Sequence, residues 1–299
     1  MKILNLSLSR STVDRAAHIR SDTAALEAEW QRAAIIHFNG EGFFTVGNSL
    51  ALLEANQVEG VGERIYLGQQ GGNSYFLWCS ERNIGPDEGY QTLREISAEL
   101  TSLEIGLAVH GQAVAQWHHR NPICSTCGGP TLAFLGGSTR RCDSGHEHYP
   151  RTDPAIIVLV KDKTDRILLG RQAIWPEHRF STFAGFVEAG ESFEQCVVRE
   201  VLEEAGVHVA DINYLGSQPW PFPQSLMIAF EATIQDPENA RPDGEEIVEI
   251  RWFDRNELYS SITEGTLLLP PSISVARAMI QEWYGEDRPP LPGAETWRS

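Results

Sequence analysis

The stretch GFVEAGESFEQCVVREVLEEAGV, residues 185–207, decides how the second half of this 299-residue chain folds. Gly185 is followed after five residues by Glu191, after seven more by Arg199 and Glu200, and then by Glu203, Glu204, Gly206 and Val207. Ser192 and Gln195 form a capping box, and Gly206 supplies a left-handed residue, so a helix of about thirteen residues is expected between them. At about 100° per residue, Val198, Val201, Leu202 and Ala205 are expected on one face and Glu200, Glu203 and Glu204 on another. Three like charges there repel by a few tenths of a kcal/mol per pair, roughly, which calls for a neutralising cation. Carboxylates are hard oxygen ligands, and Mg²⁺ or Mn²⁺ bridging to a substrate phosphate is the natural match. Arg199 is placed to pair with Glu191 and hold the preceding loop against the helix.

A run of glutamates standing alone is usually a solvated acidic face. Here, with Gly and Glu each near about 7% of average usage, seven fixed identities at fixed offsets coincide by chance on the order of once in 10⁸ positions. The series fits G-x5-E-x7-R-E-U-x-E-E-x-G-U without a departure and so resembles the Nudix box, the signature of hydrolases that cut a nucleoside diphosphate linked to another moiety.

Length allows two domains with their own cores. Against 41 acidic residues stand 24 Lys and Arg, a net charge of −17, with lysine only at positions 2, 161 and 163. That balance argues against broad affinity for nucleic-acid backbones or anionic membranes. No apolar run approaches the roughly 18 residues of a spanning helix, and MKILNLSLSRSTVDRAAHIR lacks a long apolar core with a cleavage site, so a cytoplasmic protein without membrane attachment is expected. Five cysteines, three of them in one short segment, point to metal binding in a reducing compartment.

Those three are Cys124, Cys127 and Cys142, the first two in a CSTCGG knuckle. A Cys₄ ribbon would place its fourth thiolate where this chain has Gly145; zinc accepts imidazole as readily, so His146 is expected as fourth ligand, with His148 the alternative and a metal-free loop the third reading. Arg140, Arg141 and Arg151 make only a weak basic patch.

Before the ribbon, AAIIHFNGEGFFTV and RIYLGQQGGNSYFLWCS predict strands, and Leu93 to His119 predicts a helix. His18, His37, His110, His118 and His119 have no spaced partner and are expected at the surface or at caps. After it, PAIIVLVKDKTDRILLGRQ predicts two buried strands around a turn at Asp162–Asp165; NYLGSQPWPFP, SLMIAFEATI and EIVEIRWFDRNEL predict further strands ending in a short helix. The expected order is an N-terminal β-rich module with helices (1–120), a zinc ribbon (121–150), a Nudix α/β/α sandwich with mixed sheets (151–285) and a proline-rich tail (286–299).

Downstream of the box stands Ser217-Gln218-Pro219-Trp220-Pro221-Phe222-Pro223-Gln224-Ser225. Three prolines stiffen this loop, Trp220 and Phe222 offer flat faces for a base or nicotinamide ring, and Gln218 and Ser225 offer polar edges. The SQPWPFPxS array resembles the signature of the NADH pyrophosphatase, NudC-type, Nudix hydrolases, and the resemblance runs from about Asn121 to Tyr284. It implies a homodimer, a structural zinc, and metal-assisted splitting of NAD(H) into AMP and nicotinamide mononucleotide, or removal of an NAD cap from RNA. It also implies the Ala184 carbonyl, Glu200 and Glu204 as metal ligands, Glu203 as a further ligand or water-orienting carboxylate, and Glu246 (or Glu245) completing the set. Tyr149, the Gln218–Ser225 loop, Ala276 and Arg94 are the implied substrate contacts. A Nudix module that senses a nucleotide without cutting it, and a zinc-ribbon nucleic-acid adaptor, are the rival readings. The first has no need of the full glutamate set, and the second lacks its basic segment.

Overall fold

A computed structural model describes residues 6–292, and they form two compact units. Residues 8–152 and Pro219–Gln224 make the first; Leu6, Ser7, Asp153–Gln218 and residues 225–292 make the second. The ribbon segment 121–150 therefore sits in the same unit as the module before it, and the aromatic loop after the box belongs there as well. Of the proline-rich tail, Leu291 packs against the second unit's core and Arg277 donates to the Leu291 and Pro292 carbonyls; residues 293–299 lie outside the described residues.

In the first unit a sheet runs in the order Ser49–Leu50, Phe43–Val46, Ala34–Phe38, Asn73–Cys79, Glu63–Gln70, with Tyr90–Gln91 added beside Phe43–Val46. The long helix Ser102–Arg120 covers it with Ile105, Leu107, Ala108, Val109, Val114 and Ala115. The single helix expected from Leu93 breaks into Leu93–Ile96 and Ser102–Arg120, because Thr101 and Glu104 close a second capping box. Two of the expected surface histidines are buried instead. His37 accepts from the Tyr90 hydroxyl (2.6 Å) and reaches Ser80 Oγ (2.9 Å), while His118 reaches the Gly137 carbonyl (2.7 Å).

The ribbon hairpin, Thr131–Phe134 and Thr139–Cys142, is fastened by Arg140, which the sequence counted with a surface patch. Its guanidinium is buried and donates to Glu63 (2.9 Å), to Thr131 Oγ1 (2.7 Å) and to the Thr131 carbonyl (2.7 Å). Glu63 is held down to about 2 by its bonds to His118 and Arg140, which outweigh its burial.

The second unit is an α/β/α sandwich. Its sheet runs Val209–Trp220, Ser225–Ile234, Asp153–Lys161, Ile167–Gln172, Ile247–Phe253, and Phe183–Phe186 pairs antiparallel with Asp153–Lys161. Asp153–Lys161 and Ser225–Ile234 are parallel, so the sheet is mixed as expected. One face packs on the helix Phe193–Ala205 through Ile156, Val158 and Phe230; the other packs on Val275–Tyr284 through Ile157, Leu159 and Ala229. Arg140→Ala should cost about 3 kcal/mol in urea unfolding, because it strands buried partners; a loss under about 0.5 kcal/mol, typical of a neutral surface change, would show that the hairpin is fastened elsewhere.

Candidate active site

The box helix spans Phe193–Ala205, with Ser192 and Gln195 capping it reciprocally and Gly206 ending it at φ 66°. Its inward face differs from the expected one. Leu202 is 40% exposed, whereas Cys196, Val197, Val201, Ala205 and also Glu204 are buried. The helix is thus rolled toward its glutamates, and Glu204, 3% exposed, sits among the core residues with Oε2 lacking a hydrogen-bond partner among the described residues.

The strand Phe183–Phe186 brings Ala184 opposite Ile157 and Gly185 opposite Ile156. A Cβ on Gly185 would lie 1.9 Å from Cδ and Oε1 of Glu200, so the first glycine of the box is required by space, which the Glu200 carboxylate fills. Arg199 then organises the rest. It grips Glu191 with two parallel bonds of 2.9 Å, donates to Glu200 (2.7 Å) and Glu203 (3.1 Å), and caps the Phe186 carbonyl (3.0 Å). Glu191 is held near 2 by Arg199 and in turn accepts from the Glu188 amide.

Among the described residues no guanidinium reaches Glu204. Burial, then the charges of Glu246, Glu200 and Asp243, push its carboxyl up to about 9, against a backbone hydrogen bond at Ala184. Glu200 is also raised, by burial first and by Glu203 and Glu246, with Arg199 opposing. A buried, unpartnered carboxylate oxygen facing other carboxylates is the donor set a hard divalent cation takes, so the residues present fit such an ion.

Glu246 is delivered by a turn that sequence reasoning passed over. Asp243 accepts the amides of Glu246 (3.0 Å) and Ile247 (2.7 Å), and Gln172 donates to Glu246 Oε1 at 3.2 Å. Asp243 at the head of DGEE was a readable turn signal; Gln172, on the neighbouring strand, was not. Glu245 lies exposed in the same turn.

The expected substrate residues divide. Within the first unit Trp220 and Phe222 stand edge to face, 5.0 Å apart, and the Arg94 guanidinium lies 4.1 Å from the Phe222 ring centre and 5.3 Å from that of Trp220. Gln112 fixes the loop by donating to the Pro221 carbonyl (2.7 Å), Pro221 is buried, Pro219 half-buried and Pro223 exposed, and Gln224 accepts from Arg120 at 3.5 Å. Tyr149 is 64% exposed, its hydroxyl on Glu147. In the second unit Ser225 pairs with Asp153 at the start of its strand. Gln218 and Ala276 depart from expectation. Gln218 is fully enclosed and donates to the Ile273 carbonyl (3.0 Å), so its amide is a brace and not an open polar edge. Ala276 is 2% exposed in the core, leaving only its backbone for any contact.

In the ribbon, one ligand atom each from Cys124, Cys127, Cys142 and His146 lie within 4.8 Å of one another. Cys127 and Cys142 sulfurs are 3.7 Å apart; His146 Nδ1 is 3.6 Å from Cys124 Sγ and 3.5 Å from Cys142 Sγ. Tetrahedral zinc with Zn–S about 2.3 Å and Zn–N about 2.0–2.1 Å has edges of about 3.8 Å (S···S) and 3.6 Å (S···N), so the cluster can hold one. His146 supplies the fourth atom of this cluster, and His148 lies outside it with Nε2 3.2 Å from Cys124 Sγ.

A glutamate cluster presented by a strand and a capped helix on this sandwich defines a Nudix hydrolase, and residues 151–271 match the NUDIX domain family. The chain is 40% identical over 297 residues to the NAD-capped RNA hydrolase NudC of Mycobacterium bovis (strain BCG / Pasteur 1173P2), covering 92% of this chain and 94% of that protein. The NudC of Mycobacterium tuberculosis (strain ATCC 25618 / H37Rv) gives the same identity and coverage. Human NAD-capped RNA hydrolase NUDT12 is 37% identical over 198 residues, 62% of this chain and 43% of that one. The chain belongs to the NudC-type Nudix hydrolases.

Gly185→Ala should displace the Glu200 carboxylate and weaken Mn²⁺ binding at least about tenfold by calorimetry, some 1.4 kcal/mol; unchanged affinity would mean that Glu200 takes no part in holding the ion. Metal analysis should find one zinc per chain, lost in His146→Ala and held about 10–100-fold more weakly in His148→Ala. Full zinc in His146→Ala, with none lost to a chelator, would return the fourth corner to another residue.

Proposed function

We propose that this chain hydrolyses the pyrophosphate of NAD(H), releasing AMP and (reduced) nicotinamide mononucleotide. The observation that carries this reading is the buried, unneutralised Glu204 carboxylate beside Glu200 and Glu246, a cation site set into the Nudix box. Glu200, Glu204, Glu246 and the Ala184 carbonyl would hold Mg²⁺ or Mn²⁺, with Glu203 at the exposed rim as a further ligand or as the group that orients water. The bound ions would neutralise the diphosphate and lower the pKa of the attacking water.

The protein's own groups supply placement. Arg199 fixes Glu200 and the box loop, and Asp243 and Gln172 fix Glu246, so the carboxylates are pre-set and little reorganisation accompanies reaction. Trp220 and Phe222 form a flat-sided aromatic pair, and Arg94, stacked on it with no carboxylate partner among the described residues, is suited to an anionic or π-rich group of the dinucleotide. Tyr149 at the surface, and the backbone at Ala276, remain the other proposed contacts. A homodimer, a structural zinc on Cys124, Cys127, Cys142 and His146, and a cytoplasmic location go with this reading. Among the described residues no helix is long and apolar enough to cross a membrane.

A second reading, removal of an NAD cap from RNA 5′ ends, is favoured by the names of the relatives. The chemistry is the same, and the −17 charge favours contact with the cap over contact with the RNA backbone. A nucleotide sensor fits less well, since sensing does not require a pre-set carboxylate cluster.

Wild type incubated with NADH and Mg²⁺ or Mn²⁺ should yield equal AMP and reduced nicotinamide mononucleotide by chromatography, and Glu204→Gln should be slower by about 10²-fold or more. Wild-type-like turnover in that variant would remove the cation site from the mechanism, and no cleavage of NADH or capped RNA would leave the sensor reading. Arg94→Ala should raise KM about three- to tenfold with a smaller change in kcat, as expected for loss of a stacked cation that binds ground and transition states alike.

A further inference from the structure

The aromatic loop of the first unit is held by a side chain far from it in sequence. In the helix Ser102–Arg120, Gln112 is 3% exposed, and its amide donates to the carbonyl of Pro221, 109 residues further on, at 2.7 Å. Its neighbours one turn before and after on the same helix face are the buried alanines Ala108 and Ala115, which leave a long unbranched side chain room to extend. Gln112 Oε1 is buried with no hydrogen-bond partner, so among the described residues the bond to Pro221 is the one its side chain makes. A half-satisfied amide works against stability in a helix that otherwise covers its sheet with apolar side chains, and an apolar residue would be buried there at less cost. The contact therefore serves the loop more than the helix.

Pro221 is buried and falls between the strands Val209–Trp220 and Ser225–Ile234. The Phe222 amide donates to the Trp220 carbonyl at 2.7 Å, which closes a three-residue turn with Pro221 at its centre. The Pro221 carbonyl belongs to the peptide that joins Pro221 to Phe222. Holding its oxygen fixes the plane from which the Phe222 side chain departs and, through the turn, the setting of Trp220. Both rings are half-buried against the first unit's core, and Arg94 of the short helix Leu93–Ile96 lies over them. Arg120, at the end of the helix that carries Gln112, reaches Gln224 at 3.5 Å. Two helices of the first unit thus hold the loop at its rings, its centre and its end.

We propose that the first unit, which contains none of the box glutamates, sets recognition of the dinucleotide's ring, with Gln112 as the positioning residue that fixes Trp220 and Phe222 through the Pro221 carbonyl. The inference rests on the reading of that aromatic pair as a ring-binding surface of an NAD(H) hydrolase. Gln112 itself touches neither the reacting phosphates nor the cation. Its loss frees the turn to rotate, so the rings must be ordered again each time substrate binds, and that cost falls on ground and transition states alike. A small mis-setting of a contacting group is enough to be felt, since displacements of about 1 Å carry large kinetic effects.

The test is steady-state NADH hydrolysis by the full chain with Mn²⁺, alongside thermal unfolding. Gln112→Met keeps the unbranched shape and volume but removes the donor. It should raise KM at least about fivefold while kcat stays within about twofold, and Tm should stay within about 3 °C, because the bond lost is offset by removal of the unpartnered Oε1. Gln112→Asn, whose amide falls one methylene short of Pro221, should move KM in the same direction and can be read if the Met variant does not fold. Pro221→Gly, which loosens the turn directly, should also raise KM, and in the double variant Gln112→Met/Pro221→Gly the two effects should fall short of their product by at least about threefold, because both release one loop. A KM within about 1.5-fold of wild type in the folded Gln112 variants overturns the proposal. So does a loss confined to kcat and Tm, the mark of a merely structural residue, or full multiplication of effects in the double variant. Wild type that fails to cleave NADH would reject the underlying reading and this assignment with it; wild type that cleaves NADH while the Gln112 variants keep its KM would reject this assignment alone.

Discussion

Arg199 divides the carboxylates of the box into two sets. One guanidinium satisfies Glu191, Glu200 and Glu203 and closes the loop through the Phe186 carbonyl, while Glu204 receives nothing from it. The loop, the helix and the strand can be brought this close only because Gly185 has no side chain where Glu200 lies. Once they are, Glu204 is enclosed next to Glu200 and Glu246, and the fold holds an electrostatic deficit that only protonation or a cation can relieve. The rigidity of the clamp and the incompleteness of its neutralisation are two aspects of one arrangement.

Local signals in the sequence were reliable where the interaction is itself local. Ser192, Gln195 and Gly206 bound the helix because caps act within one turn, and the spacing of Glu191 and Arg199 announced their ion pair. The helical wheel gave the angular neighbours but not which sector meets the sheet. The buried sector runs from Cys196 and Val197 through Val201 to Glu204 and Ala205, leaving Leu202 out, because the strand Phe183–Phe186 draws the helix toward Gly185. Burial of a carboxylate is the last thing a hydrophobic pattern predicts, and this is the residue on which the site turns.

The same distinction holds elsewhere. In the ribbon, Cys124, Cys127 and Cys142 were legible, and His146 followed from ligand count, since a missing thiolate within a short turn leaves few substitutes. Arg140, His118 and Gln218 were not legible, because their partners Glu63, Gly137 and Ile273 lie 19 to 77 residues away, and no local pattern records such pairings. Polar residues read as surface or substrate groups prove to be internal braces, as expected where a buried donor must find a partner.

The central claim is that the carboxylates around Glu204 form the divalent-cation site. Crystals soaked in Mn²⁺ and measured for anomalous scattering test it most directly. The account predicts a peak within about 2.0–2.6 Å, the range of hard-cation oxygen contacts, of Glu204 Oε2 and of Glu200, with Glu246 and the Ala184 carbonyl alongside. Full-occupancy Mn²⁺ bound elsewhere, with Glu204 still unliganded, would contradict it.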